Sequence, residues 1–299
     1  MDRLQAMSAF VTVVDCGGFA SAARKLELSP PVVTRAVAEL EERLGLRLLT
    51  RTTRVVRVTE AGARFADDCR RILAEIDEAE VAASGTHAAA RGTLVLTAPV
   101  LFGHRYVMPV LVDYLEQCPE VDAQCLFLDR IVNLDEEGVD VAVRIGELPD
   151  SSMQAIKVGR VRQMHVASPT YLQAHGTPAS PTELEQHTLV SRGGMSPDVD
   201  WQFVKEGKAF TRHLRARLRT SSNDSAIAAA VAGFGITRLL SYQVAEHVRL
   251  GQLQIVLEAF ETAALPIHVV HREGRRATQK VRGFIDLAVD TLRAHPALR

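Results

Sequence analysis

From Phe19 to Leu49 the chain reads FASAARKLELSPPVVTRAVAELEERLGLRLL, and this stretch decides the fold of its first part. Ala22, Ala23 and Leu26 give a short first helix a small apolar face, and Glu27-Leu28-Ser29 makes a tight turn. Ser29 is a favoured N-cap, and Pro30 and Pro31 suit a first helical turn, where a missing N–H costs nothing. Val33, Ala36, Val37, Leu40 and Leu44 then recur at helical spacing, which predicts one buried side. The other side carries Thr34, Arg35, Ala38 and Glu39, small or polar groups of the kind that fit a DNA major groove. Gly45 is placed to end the helix. The pattern is a helix-turn-helix.

An amphipathic helix pair in an ordinary globular core would satisfy the same spacing. The next residues separate the two. Arg47 to Arg57 reads RLLTRTTRVVR, with four arginines and no acid. Strand-prone residues flank a polar turn there, as in a β-hairpin wing. Between Arg24 and Arg57 eight basic residues face four acidic ones, in a chain of net charge −1. A local positive excess of this kind suits phosphates better than it suits a merely solvated surface.

Residues 1 to about 90 resemble the N-terminal domain of LysR-type transcriptional regulators, and the whole length fits that family. The resemblance rests on Met7-Ser8-Ala9-Phe10, the helix from Gly17 to Leu26, Leu40-Glu41-Glu42-Arg43-Leu44-Gly45, Leu48-Leu49-Thr50-Arg51-Thr52-Thr53-Arg54 and Thr59-Glu60-Ala61-Gly62. It implies a winged helix-turn-helix on a double-stranded DNA operator. Ser29, Pro30, Pro31, Thr34 and Arg35 would come from the recognition helix, and Arg51 and Arg54 from the wing. RNA polymerase is a further candidate partner. This chain has Ser29-Pro30 where the family usually has Ser-Gln, so an amide able to read an adenine edge is absent. Ala20 stands at a position that is often hydroxylated.

At 299 residues, 47% of them apolar, the chain suits two or three packed domains. MDRLQAMSAF lacks the basic start and apolar run of a secretory signal, and no apolar stretch is long enough to span a bilayer. A cytoplasmic location with no membrane partner is expected. Cys16, Cys69, Cys118 and Cys125 show no CxxC spacing, so reduced structural thiols are the default. A peroxide-sensing cysteine pair occurs within the family, and the spacing here does not support one.

After the wing, Thr59 is placed to cap a long helix running to about Ser84. Within it Phe65, Cys69, Ile72, Ile76, Ala79 and Ala83 recur at spacings of four, three, four, three and four. That is a heptad seam, the pattern that pairs two helices. A helix docked on its own domain would also need an apolar stripe. Because the seam lies on a connector whose other faces are acidic, a homodimer is expected, and the family resemblance extends this to a tetramer. Residues Ser84 to Gly92 read as a hinge.

From Thr93 onward strands and helices alternate, which predicts a largely parallel sheet. Strands are expected at Gly92–Thr97, Val121–Leu128 and Val139–Ile145. Helices are expected at Phe102–Gln117 and Arg130–Glu137. A second unit follows, with strands near Met164–Ala167, Thr188–Ser191 and Lys208–Leu218 and helices near Thr170–His175 and Asp224–Ala232. A strand at Pro266–His271 and a helix from Thr278 to Ala294 return to the first unit. The expected fold is therefore an all-α winged helix-turn-helix domain (1–59) with a linker helix and hinge (60–91), followed by a two-lobed α/β domain (92–299). Lobe one would comprise about 92–154 and 267–299, and lobe two about 155–266. This arrangement resembles the family's effector domain, itself similar to periplasmic binding proteins.

Two lobes joined by two crossings are built to close on a small molecule, here a co-inducer or co-repressor. Val100, Leu101, Phe102 and Gly103 follow the first strand, and Ser222 and Asn223 open the corresponding helix of the second lobe. Free N–H groups at such a start favour an anion, although plain N-capping also accounts for Ser222 and Asn223. Val100-Leu101-Phe102 replaces the hydroxyl or amide of many relatives, which argues for an effector with an apolar or aromatic part. Arg144 and Arg192 are candidate counter-charges, unless each pairs with a surface acid.

An enzyme with the helix-turn-helix as an interaction module is the competing class, beside a plain small-molecule-binding α/β protein. No Gly-x-Ser-x-Gly elbow or Walker loop is present, and Gly233-Phe234-Gly235 lacks the rest of a dinucleotide fingerprint. His268 and His271 are three apart on an expected strand and so point to opposite faces. No catalytic residues, metal or cofactor are expected.

Overall fold

The computed structural model describes residues 2–51, 56–83, 90–134, 136–148, 153–193, 196–271 and 278–299. The chain divides into two compact units, residues 1–89 and 90–299.

The first unit opens with α1 (Arg3–Cys16), α2 (Phe19–Lys25) and α3 (Pro30–Leu44). At seven residues α2 is too short to persist alone. It is held by Ala22 and Ala23, both fully buried against α1 and α3. On α3 the buried residues are Val33, Ala36, Val37 and Leu40, the side that the spacing predicts. On α1 they are Ala6, Met7, Ala9, Phe10 and Val13. Leu4, Val11 and Val14 of the same helix are only partly buried against this core.

Ser29 occupies the N-cap position of α3 in an extended conformation, yet its side chain caps nothing. A capping oxygen seeks the N–H of the second or third helical residue. Here the second is Pro31, which has none, and the N–H of Val32 goes to the Ser29 carbonyl at 3.0 Å. Gly45 ends α3 with φ +67°, its N–H turned back to the Glu41 and Glu42 carbonyls.

Strands β1 (Leu49–Arg51) and β2 (Val56–Val58) form the wing, with Leu49 opposite Val58 and Arg51 opposite Val56. The turn between them, Arg54 included, lies outside the described residues. A Glu41 carboxylate oxygen accepts from the Leu48 and Leu49 N–H groups at 2.7 and 3.0 Å, which ties the end of α3 to the wing. Thr59 caps α4 (Glu60–Ala83), its hydroxyl accepting from the Gly62 N–H at 2.9 Å. A Cβ on Gly62 would stand 2.1 Å from the Leu48 carbonyl oxygen, so only glycine lets α4 start this close to the wing.

The first half of α4 packs inward. Cys69 and Ala66 are buried in the first unit's own core, and the Phe65 ring lies 5.9 Å from that of Phe10. The heptad spacing at Phe65 and Cys69 thus serves docking on the domain itself, with Cys69 fully buried and Phe65 half-exposed. Ile72 is partly buried at the edge of this core, and Ile76 is half-exposed. The side chains of Ala79 and Ala83 lie outside the described set.

The second unit begins with β3 (Gly92–Ala98). A helical run follows without a break: α5 (Val100–Phe102), a π turn over Gly103–Val107 and α6 (Met108–Gln117). Next come β4 (Val121–Phe127), β5 (Val141–Ile145), β6 (Gln154–Val161), β7 (Gln163–Ala167), α7 (Pro169–His175) and β8 (Leu189–Arg192). The chain continues through β9 (Asp198–Lys205), β10 (Lys208–Arg215), β11 (Leu218–Thr220), α8 (Asn223–Val231), β12 (Ile236–Leu240), α9 (Ser241–Arg249) and β13 (Gln254–Val256). It ends with β14 (Leu265–His271) and α10 (Gln279–Ala294).

One five-stranded sheet has the order β4-β3-β5-β14-β6, the other β11-β8-β12-β7-β13. The two share a plan. In each, three neighbouring strands run parallel and the fourth is antiparallel to both of its partners. Two sequence expectations are corrected. The described residues of 130–137 are irregular, with turns only at 134 and 136–137, rather than a helix, because the buried side chains are Val132 and Leu134, two apart, a spacing that suits extended chain. Strand β6 belongs to the first sheet, where it pairs with β14, so the first crossing falls at Arg162 rather than near 154. A single residue separates β6 from β7, and hydropathy carries no mark of the change of sheet.

Arg162 also clasps the second crossing. Its guanidinium meets the Glu261 carboxylate at 2.8 and 3.0 Å and also reaches Glu258. These paired carboxylates hold its charge more firmly than usual.

Candidate functional site

In the first unit the surface opposite the α3 core is open. Pro30, Pro31, Val32, Arg35 and Ala38 are exposed, and Thr34 is half-buried. Arg35 is 83% exposed and forms an i,i+4 pair with Glu39 at 2.8 Å, which holds the Glu39 carboxyl below its ordinary range. Val32 and Leu28, each 40% exposed, add an apolar spot at the helix start that sequence reasoning passed over. Their signal was available, because neither falls on the buried spacing of α3. Arg24, Lys25, Arg47 and Arg57 of the same unit are also exposed. The side chain of Arg51 is outside the described set, as is Arg54.

In the second unit the expected cleft residues separate. Val100 is 39% exposed, Leu101 is buried and Phe102 is fully buried. The Phe102 ring lies 4.9 Å from Tyr106 and 5.3 Å from Tyr242, which joins the two lobes through an aromatic cluster. Gly103 lies under the Phe127 ring, where a Cβ would stand 2.5 Å from a ring carbon. Phe102 and Gly103 are thus core residues and not cleft surface, because helical geometry turns both into the packed face. Ser222 caps α8, accepting from the Ser225 N–H at 3.1 Å. Arg144 is half-buried and donates to the Val132 carbonyl at 2.8 Å. Burial pushes its pKa down.

Between the lobes sits a residue that the sequence reading did not select. Asp129 follows β4 in lobe one, and one of its oxygens accepts from the Val100 N–H at 3.0 Å. The other accepts from the Asn223 amide of lobe two at 3.0 Å and lies 3.3 Å from the Arg192 guanidinium. Arg192 also donates to the Asp129 carbonyl at 3.2 Å. Arg192 therefore does pair with an acid, but an acid between the lobes. Asp129 is 18% exposed at its side chain, and Asn223 is buried. Its position, just past a strand next to β3 in the sheet, was the signal that could have found it.

Residues 4–63 match the bacterial regulatory helix-turn-helix protein, lysR family, and residues 87–293 match the LysR substrate binding domain. The chain belongs to the LysR family. It is similar to an HTH-type transcriptional repressor of Pseudomonas aeruginosa, at 34% identity over 100% of this chain and 95% of the relative. The full-length structure of the Vibrio cholerae virulence activator AphB aligns with a TM-score of 0.62 and 30% identity, covering 97% of this chain and 99% of that one. CrgA of Neisseria meningitidis aligns with a TM-score of 0.62 and 29% identity over 96% and 98%. This LysR-family chain is a DNA-binding transcriptional regulator with a C-terminal effector domain.

Within the regulator, Cys69 is buried and its thiol is pushed up to about 11, so thiolate chemistry is suppressed there. Among the described residues no group of three or more His, Cys, Asp and Glu could hold a metal. No single helix among them is long and apolar enough to cross a membrane.

Proposed function

We propose that the regulator reads its operator with the exposed face of α3 and holds the DNA backbone with the wing. The open face of α3 carries this reading: Arg35 and Thr34 are presented to base edges, and Val32 offers a methyl-sized apolar contact of the kind that suits thymine. Ser29, Pro30 and Pro31 set the approach of the helix start, and Arg51 and Arg54 of the wing contact phosphates or the minor groove. Ile72 and Ile76, with Ala79 and Ala83, pair two copies through α4. The dimer then presents two recognition helices at fixed spacing, and dimers associate further into a tetramer in the cytoplasm. The domains assigned are the DNA-binding part (1–59), the linker helix and hinge (60–91) and the effector part from residue 92. A small molecule with an apolar or aromatic body binds between the lobes, near Val100, Arg192 and Asn223, and shifts operator binding.

The test of the DNA face compares wild type with Arg35→Ala and Arg54→Ala on an operator duplex and a random duplex over a salt series. Arg54→Ala should weaken both duplexes alike and lower the salt slope by roughly one unit. Arg35→Ala should lower specificity at particular base pairs by about 1–3 kcal/mol. Unchanged affinity in both variants would remove the assignment.

A further inference from the structure

Asp129 stands where a ligand anion would be expected. Its carboxylate is held by a backbone N–H at the start of a lobe-one helix, by an amide at the start of α8 and by a guanidinium at the end of β8. These are the donors with which a protein holds a free carboxylate. All three converge on a side chain of the chain itself, and the contact links lobe one to lobe two.

We propose that Asp129 is a tethered anion occupying the regulator's own anion seat, so that a free carboxylate binds there only by displacing it. The inference rests on the reading of the inter-lobe region as the effector site. A tethered group competes at high effective concentration, so a bare small carboxylate is a weak competitor. Two carboxylates cannot share one guanidinium and one amide at this spacing without like-charge repulsion. An effector must therefore bring apolar contacts beyond its carboxylate, which fits the exposed Val100 beside the seat. Displacement also removes the native link from Asp129 to Asn223 and Arg192. The bound and free states thus differ in what joins the lobes, which is the differential interaction that a ligand-driven shift requires.

The test is chemical rescue of the full-length protein. Asp129→Ala vacates the seat while leaving its donors in place. Sodium acetate should raise the melting temperature of this variant with a half-saturating concentration at least tenfold below that for wild type. Acetamide and sodium chloride at matched ionic strength should not. Asp129→Asn keeps the shape but loses the charge, and it should respond to acetate between the other two; this carries the test if the alanine variant does not fold. An acetate response equal in wild type and the variants, or absent from the variants, overturns the proposal. Operator binding is measured in the same samples. Rescue by acetate with no change in operator affinity would leave the tethered anion standing and sink the reading of the region as the effector site. Failure of rescue would sink the tethered anion alone.

Discussion

Both ring nitrogens of His165 are buried and find no hydrogen-bond partner among the described residues. The ring stacks on Phe203 at 4.8 Å and tilts against Trp201 at 5.1 Å, beneath the β9–β10 hairpin. The charge of Arg238, which lies over the same Trp201, adds to the burial, and together they push the His165 pKa down to about 3. The neutral form alone fits the folded state. As pH falls below 6.5 the unfolded chain takes up a proton that the folded chain refuses, so stability is lost as pH drops from 6.5 toward 3. At pH 5 this one group costs about 2 kcal/mol relative to pH 8. His165→Phe keeps the stacking, removes an unsatisfied polar group and removes the titration. Thermal unfolding at pH 5 and pH 8 should show the variant more stable than wild type, with the wider gap at pH 5. A gap independent of pH would show that His165 does not titrate on unfolding.

At the scale of the element, α4 does two jobs along one stripe. Phe65 and Cys69 close the core of the first unit, and Ile76 lies beyond that core. Ile76→Asp should therefore leave the domain folded and, by placing a buried charge in the proposed seam, separate the dimer. Phe65→Ala should instead destabilise the unit by about 3 kcal/mol or more through lost packing. Sedimentation and denaturation of the two variants distinguish these outcomes, and an Ile76→Asp protein that stays dimeric would displace the seam. The stripe itself was legible in the sequence, but a heptad does not say whether its partner is the same chain or a copy. Elements fixed by local chemistry were read well: Gly45 stops α3 and Thr59 caps α4 where the residues say they should. The β9–β10 hairpin was read only in part. Asp198 to Lys205 alternates polar and apolar residues, but the two-residue turn is Glu206-Gly207, with φ +51° and +75°, and lacks the Asn-Gly or Asp-Gly that usually announces it. The Ser29 cap failed because Pro31 removes one of the two donors that a cap can use, and the other, the Val32 N–H, goes to the Ser29 carbonyl.

On the scale of the second unit, periodicity predicts two lobes, but not what joins them. Asp129, Asn223 and Arg192 meet across 94 and 63 residues of sequence, and no local pattern records such pairings. The same holds for the crossings, where Arg162 and Glu261 are 99 residues apart. Their pair forms a clasp because β6 and β14 leave the first sheet side by side, which brings both crossings to one place. The Glu261 side chain is only 9% exposed, whereas that of Arg162 is 42% exposed. Losing the arginine therefore strands a carboxylate that is mostly removed from water, and this sets the penalty more than the partly screened attraction does. Arg162→Met should destabilise the second unit by about 1–2 kcal/mol and speed amide exchange through residues 257–264, where the crossing would open more often. Adding Glu261→Leu removes the stranded charge, so the double variant should recover part of the loss, a coupling that a double-mutant cycle in urea measures directly. If the two single losses simply add, the clasp is a surface contact, and the crossings are held by the Phe102–Tyr106–Tyr242 cluster instead.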